Sequence, residues 1–223
     1  MTPSSKKGND LPTDLKEYLP ERTVDAWVKL APLVPPSGYL AGGTGLTVYL
    51  RHRISRDLDF MMAEPEDLSR LRHEIDRLGT FAVTHQDEAT LNGVFEGTRV
   101  QFLEATGQKI VGTFEVVAGI RVASVEDIMA MKLKVIVDRG ELRDYFDLME
   151  IDQRGIVPVE EGLQLFVERY DPPNPEEYLT TIVKSLGYLD DVADDPALPV
   201  EKGAIQRFWS ARHRTILHNL SGY

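Results

Sequence analysis

Two clusters in this 223-residue chain carry residue types able to do chemistry on phosphates. The first is Gly42-Gly43-Thr44, followed twelve residues later by Asp57-Leu58-Asp59. Paired glycines let a backbone approach a phosphate closely, and a hydroxyl follows at Thr44, where the start of a helix would offer free N–H groups. In a strand, side chains alternate, so Asp57 and Asp59 point to one side. Two hard oxygen ligands on one face suit Mg²⁺, which in turn bridges nucleotide phosphates. Either half alone fits a surface turn or a solvated strand edge equally well. Their succession at strand–turn–helix–strand spacing is what points to nucleotide chemistry.

The second cluster lies further on. On a helical wheel with Ile128 at the origin, Ile128, Met129, Val135 and Ile136 share one arc. Lys132 at about 40° and Arg139 at about 20° fall inside it, whereas Lys134 and Asp138 fall opposite. A lysine on a core-facing stripe costs desolvation unless an anion meets it. The alternatives are a snorkelling lysine whose amine reaches water, or a cation facing a cleft and holding a triphosphate. Asp144 and Asp147 stand three residues apart on the next predicted helix and share its polar side. Either they pair locally, as Arg143 with Asp147 would, or they are active-site acids. In the second case they orient Lys132, bind metal through water, or contact a base.

The elements that must hold these residues are legible from pattern. A helix over Tyr18–Leu30 is stopped by Pro32, Pro35 and Pro36. Tyr39–Ala41 reads as a strand entering the glycine turn, and a short helix follows it. Leu58 and Phe60 alternate with the acids in a half-polar strand. Pro65–Leu78 is an amphipathic helix closed by Gly79. Phe81–His85, Leu91–Glu96, Arg99–Glu104, Thr113–Val117 and Ile120–Val122 read as strands. Ser124 with Asp127 three residues on fits a helix cap. Helices are then expected over Val125–Asp138, Leu142–Ile151, Val159–Tyr170, Glu176–Leu189 and Glu201–Leu220. The division is residues 1–17 without structure, an α/β core over 18–123, and a helical part over 124–223. The fold class is α+β: a mixed β-sheet followed by a C-terminal helical bundle.

Composition narrows the classes. Cysteine is absent, which removes disulfides, thiolate metal sites and thiol nucleophiles. No stretch approaches ~18 consecutive apolar residues, and the first ten residues lack an apolar leader segment. These features predict a soluble cytoplasmic protein with no membrane partner. The net charge of −11 is regional: Glu150–Lys202 holds 13 acidic and 4 basic side chains, so a nucleic-acid surface elsewhere is compatible with it. The four histidines His73, His85, His213 and His218 show no metal spacing. Arg51, Arg53 and Arg56 precede the acids, either as phosphate ligands or as solvated side chains. In the C-terminal run, Phe208, Trp209 and Ile216 are expected to pack while Arg212 and Arg214 stay exposed.

The segment Leu40–Phe60 resembles the first motif of the AbiEii/AbiGii nucleotidyltransferase toxins, a family of the polymerase-β-like nucleotidyltransferase superfamily. It shares Gly42-Gly43-Thr44, His52-Arg53-Ile54-Ser55 and Asp57-Leu58-Asp59 with that pattern. Ala123–Leu148 is similar to the later motifs: a helix with Lys132 and the following Arg139, then Arg143-Asp144-Tyr145-Phe146-Asp147-Leu148. The resemblance covers residues 18 to 150 and implies a polymerase-β-like core. It implies that Gly42, Gly43 and Thr44 cradle the nucleotide phosphates and that Asp57 and Asp59 bind Mg²⁺. Lys132 and Arg139 would clamp the triphosphate, and Asp144 and Asp147 would be active-site acids, Asp147 on the nucleotide side. Many members of the superfamily carry a third metal-binding acid on a later strand. Here Gln101 stands at that place, and Glu104, three residues on, points to the other face.

The function so implied is a toxin of a bacterial toxin–antitoxin system. It would transfer a nucleoside monophosphate from an NTP to an acceptor hydroxyl, a tRNA 3′ end, and release pyrophosphate. A cognate antitoxin is then the expected partner. The alternatives are a nucleotidyltransferase acting on a small molecule or protein, and a non-catalytic NTP-binding interaction protein.

Overall fold

The computed structural model describes residues 10–138 and 140–220. Arg139, and residues 1–9 of the stretch expected to lack structure, lie outside them. The chain forms two compact units. The first comprises residues up to Gln108 together with Thr113–Ala123, and the second comprises Lys109–Gly112 and the chain from Ser124 onward.

The first unit contains α1 (Thr13–Lys16), α2 (Glu21–Leu30), a 3₁₀ turn at Ala31–Leu33, β1 (Gly38–Leu40), α3 (Gly42–Leu50) and β2 (Leu58–Met62). It continues with α4 (Leu68–Leu78), β3 (Phe81–Gln86), β4 (Thr90–Phe95), β5 (Thr98–Glu104), β6 (Glu115–Val117) and β7 (Ile120–Val122). Structure begins earlier than the expected Tyr18. Leu11 and Leu15 are buried, and α1 is a helical turn that seats them. Helix α4 starts three residues later than the pattern suggests. Its cap is Asp67, whose carboxylate accepts from Arg70 N at 2.9 Å.

Among the described residues seven strands form one sheet in the order β3-β4-β5-β2-β1-β7-β6. The β2–β5 and β1–β7 pairs are parallel and the others antiparallel, so the sheet is mixed, as expected. Strand β2 shows why the two faces differ. Leu58, Phe60 and Met62 are buried while Asp59 and Met61 between them are half-buried. The dry face is covered by Trp27 and Leu30 of α2 and by Leu71 and Ile75 of α4. Phe60 and Phe102 are register partners on this face, and their rings stack with centroids 4.8 Å apart. Each such fully buried side chain contributes about 1.5–3 kcal/mol.

The second unit contains α5 (Val125–Asp138), α6 (Leu142–Gln153), α7 (Val159–Tyr170), α8 (Pro175–Gly187) and α9 (Lys202–Leu220). Helix α5 packs against α6, α7 and α8, and α9 packs against α6 and α8. Ser124 caps α5 as expected: its Oγ accepts from Asp127 N at 3.0 Å and donates to the Asp127 carboxylate at 2.9 Å. The same carboxylate accepts from Val111 N and Gly112 N, both at 3.0 Å, and pairs with the fully buried Arg169. Arg169 also donates to Lys109 O at 2.8 Å, which explains why Lys109–Gly112 belongs to this unit. Trp209 is fully buried and donates to Tyr145 O at 3.0 Å. Arg212 is not the exposed residue expected: it is paired with Asp152 at 2.8 Å and Glu160 at 2.7 Å.

Candidate active site

In the first unit the site grows from the turn between β1 and α3. Ala41 N donates to Asp59 O at 2.8 Å, so the turn is fastened to β2 at the acidic residue itself. Gly42 has φ +61°, a left-handed conformation that side chains with a Cβ rarely adopt. A Cβ there would also overlap the Asp59 carboxylate. Glycine is therefore required twice over, and the carboxylate lies directly against the turn. Asp57 and Asp59 flank fully buried Leu58 and are both half-buried, so the alternation puts both on the face opposite the core. Ala41 offers no side-chain cap to α3, leaving its first N–H groups to other acceptors.

Thr44 departs from the expectation that its hydroxyl meets a phosphate. It is fully buried; its Oγ1 donates to Asp57 O and lies 2.8 Å from Ser55 Oγ. A hydroxyl has one proton, and here it ties the first turn of α3 to the segment carrying the acids. Its side chain is a positioning group. Arg53 is the residue that sequence reading undervalued. It is 8% exposed, and a Cβ on Gly43 would overlap its guanidinium, so a cation abuts the second glycine as an anion abuts the first. The available signal was the His52-Arg53-Ile54-Ser55 motif. Arg51 instead closes α3, donating to Thr47 O at 3.1 Å and pairing with Asp14 at 2.9 Å. Arg56 is exposed.

Register places Gln101 beside Asp59 on the adjoining parallel strand, and Asn92 beside Gln101 on the next. Among the described residues, no group of three His, Asp or Glu side chains lies close enough to share a metal ion. Two carboxylates on one open face still fit Mg²⁺. That ion is commonly held by one or two carboxylates together with substrate phosphates and water.

The second unit carries the other expected cluster. Lys132 Nζ lies 2.6 Å from Asp144 Oδ1 and 2.8 Å from Asp147 Oδ2, with all three side chains buried. The anion that meets the core-facing lysine is thus a pair of carboxylates, and the amine does not snorkel to water. Asp144 Oδ2 also accepts from Glu141 N at 3.2 Å, at the start of α6. Of the roles left open for Asp144 and Asp147, orienting Lys132 is the one this geometry displays. The local pairing does not form: Arg143 pairs with Glu141 at 2.9 Å instead. Nor do the two acids share an outward polar side of α6, since both are buried. Lys134 is exposed as expected and pairs with Asp138 at 2.9 Å. Burial, with Asp191 and Asp144 nearby, pushes the Tyr145 phenol up to about 12.

A mixed sheet with an acid pair against a Gly-Gly turn, followed by a helical unit, defines a nucleotidyltransferase-type α+β protein. Residues 32–116 and 108–221 match the family described as nucleotidyl transferase AbiEii toxin, type IV toxin–antitoxin system, and the chain belongs to that family. An uncharacterized protein of Aquifex aeolicus strain VF5 is 27% identical over 186 residues, 81% of this chain and 88% of that protein. The crystal structure of JHP933 from Helicobacter pylori covers 96% of both chains at 18% identity, with a TM-score of 0.51, a likeness of fold. MenT4, a nucleotidyltransferase toxin of Mycobacterium tuberculosis, covers 90% of this chain and 93% of its own at 16% identity, with a TM-score of 0.43. Among the described residues no helix is long and apolar enough to cross a membrane.

Proposed function

We propose that this nucleotidyltransferase acts as the toxin of a toxin–antitoxin pair, transferring a nucleoside monophosphate from an NTP to the 3′ hydroxyl of an RNA, tRNA being the favoured acceptor. The observation that carries the reading is the Asp59 carboxylate seated against Gly42, with Asp57 on the same open face. The acceptor oxygen bonds to the α-phosphorus, the bond from that phosphorus to the oxygen bridging it to the β-phosphate breaks, and pyrophosphate departs. The hydroxyl proton passes to water, because Gln101 beside Asp59 is a carboxamide and no base. Backbone N–H groups at Gly42 and Gly43 hold phosphate oxygens, with the Arg53 charge at hand. Mg²⁺ on Asp57 and Asp59 would supply charge neutralisation at the transferring phosphate. In the second unit Lys132, pre-oriented by Asp144 and Asp147, is required for nucleotide use.

One observation favours a second reading. With Gln101 in place of an acid, the chain would bind NTP without transferring it. The test is Mg²⁺-dependent incorporation of α-labelled NTP into tRNA. Wild type should label it, and Asp59→Ala should fold normally and lose at least about 100-fold in rate, with Asp57→Ala close behind. Expression should slow growth of the source host, and Asp59→Ala should relieve it. NTP binding without labelling of any acceptor supports the second reading.

A further inference from the structure

A row of polar side chains runs across the open face of the sheet away from the acids. Asp59 on β2 is in register with Gln101 on β5, and Gln101 with Asn92 on β4. All three are half-buried and alternate with core residues, so they share the face that carries Asp59. Asn92 Oδ1 is shut off from solvent and has no hydrogen-bond partner. Leaving such an acceptor unmet is costly, and β4 could have carried an apolar residue there at no such cost. Around it the face offers Val94 and Leu103, half-buried and apolar, and exposed Arg99, whose register partner is Val94. No hydrogen bond or ion pair engages Arg99 among the described residues.

We infer that this row is the seat of the acceptor's terminal nucleoside, an inference that rests on the transfer of a nucleotide to RNA proposed above. The attacking hydroxyl must lie at Asp57 and Asp59. Neighbouring strands are spaced about 4.8 Å apart, so Asn92, two strands from Asp59, is about 10 Å away, the reach of a single nucleoside. A ribose over Gln101 then brings its base over Val94 and Leu103, with the base edge at the Asn92 carboxamide. A carboxamide offers one donor and one acceptor side by side, the pattern that matches the N6/N7 edge of adenine. Arg99 meets the phosphate on the 5′ side of that nucleoside. Asn92 is thus a specificity residue for the acceptor and takes no part in holding the NTP.

The test uses the full chain, α-labelled NTP and four RNAs differing only in their 3′-terminal base. Wild type should prefer the RNA ending in adenine. Asn92→Leu keeps size and removes both hydrogen-bonding groups. It should raise the acceptor KM about ten-fold or more and level the preference among the four ends, with the NTP KM unchanged. Asn92→Ser, a smaller polar replacement, should do the same in part, and melting curves of both variants report whether they fold. Arg99→Gln should raise the acceptor KM equally for all four ends. Folded Asn92 variants with wild-type acceptor KM and preference would overturn the inference while leaving the transfer reading intact. A wild type that labels no RNA would overturn the transfer reading, and this inference with it.

Discussion

Substituting Gly42 by alanine separates the backbone geometry of the turn from the chemistry it positions. The residue sits at φ +61°, where a Cβ costs about 1–2 kcal/mol. For a chain of this size that is a loss of about 2–8 °C in melting temperature. The new methyl would also overlap the Asp59 carboxylate, which must then turn away from the position it shares with Asp57. Displacing a metal-holding carboxylate by an ångström or so is enough to cost about 100-fold in rate. Gly107→Ala is the control: it has φ +83° and no atom within 4 Å of a Cβ, so it carries the backbone strain and nothing else. Gly43→Ala is intermediate, because its methyl meets the tip of the long Arg53 side chain, which can yield. Labelled-NTP incorporation and thermal melts on the three variants make the measurement. Gly42→Ala should melt like Gly107→Ala and be slower by about two orders of magnitude. Equal turnover of these two variants would refute the idea that the Gly-Gly turn exists to seat Asp59.

Two more outcomes follow from the second unit. Lys132→Met leaves Asp144 and Asp147 buried without their cation, so it should destabilise the fold by about 3–5 kcal/mol in denaturant titrations as well as abolish transfer. The double variant Lys132→Met with Asp147→Asn should recover part of the stability and none of the activity, and recovered activity would remove Lys132 from the machinery. Lys134→Ala should change either quantity little, since exposed pairs are worth under about 1 kcal/mol. The folded chain keeps the Tyr145 proton up to about pH 12, whereas the unfolded chain releases it near 10. Stability should therefore fall as pH rises across that interval, and fall less in Tyr145→Phe. Parallel denaturant midpoints for wild type and variant between pH 9 and 11 would contradict this.

What the sequence determined by itself is what short stretches of chain decide. Val125–Asp138, Val159–Tyr170 and Ile120–Val122 have the bounds their patterns predict, because caps and periodicity act within about four residues. The mixed sheet, the helical second part and the chemistry of Gly42-Gly43 with Asp57 and Asp59 were legible for the same reason. The helical wheel also told that Lys132 turns inward and Lys134 outward. It could not tell what Lys132 would meet, since Asp144 and Asp147 reach it only when α6 packs on α5. The inward hydroxyl of Thr44, the Arg53 guanidinium against Gly43 and the early start at Leu11 likewise depend on partners distant in the chain. The line from Asp59 through Gln101 to Asn92 exists only once two strand registers are set, and a shift of one residue in either would turn those side chains to the opposite face. Local sequence selects the elements and the reactive groups; long-range pairing selects which groups face one another, because that choice is made by burial and register summed over the whole sheet and bundle.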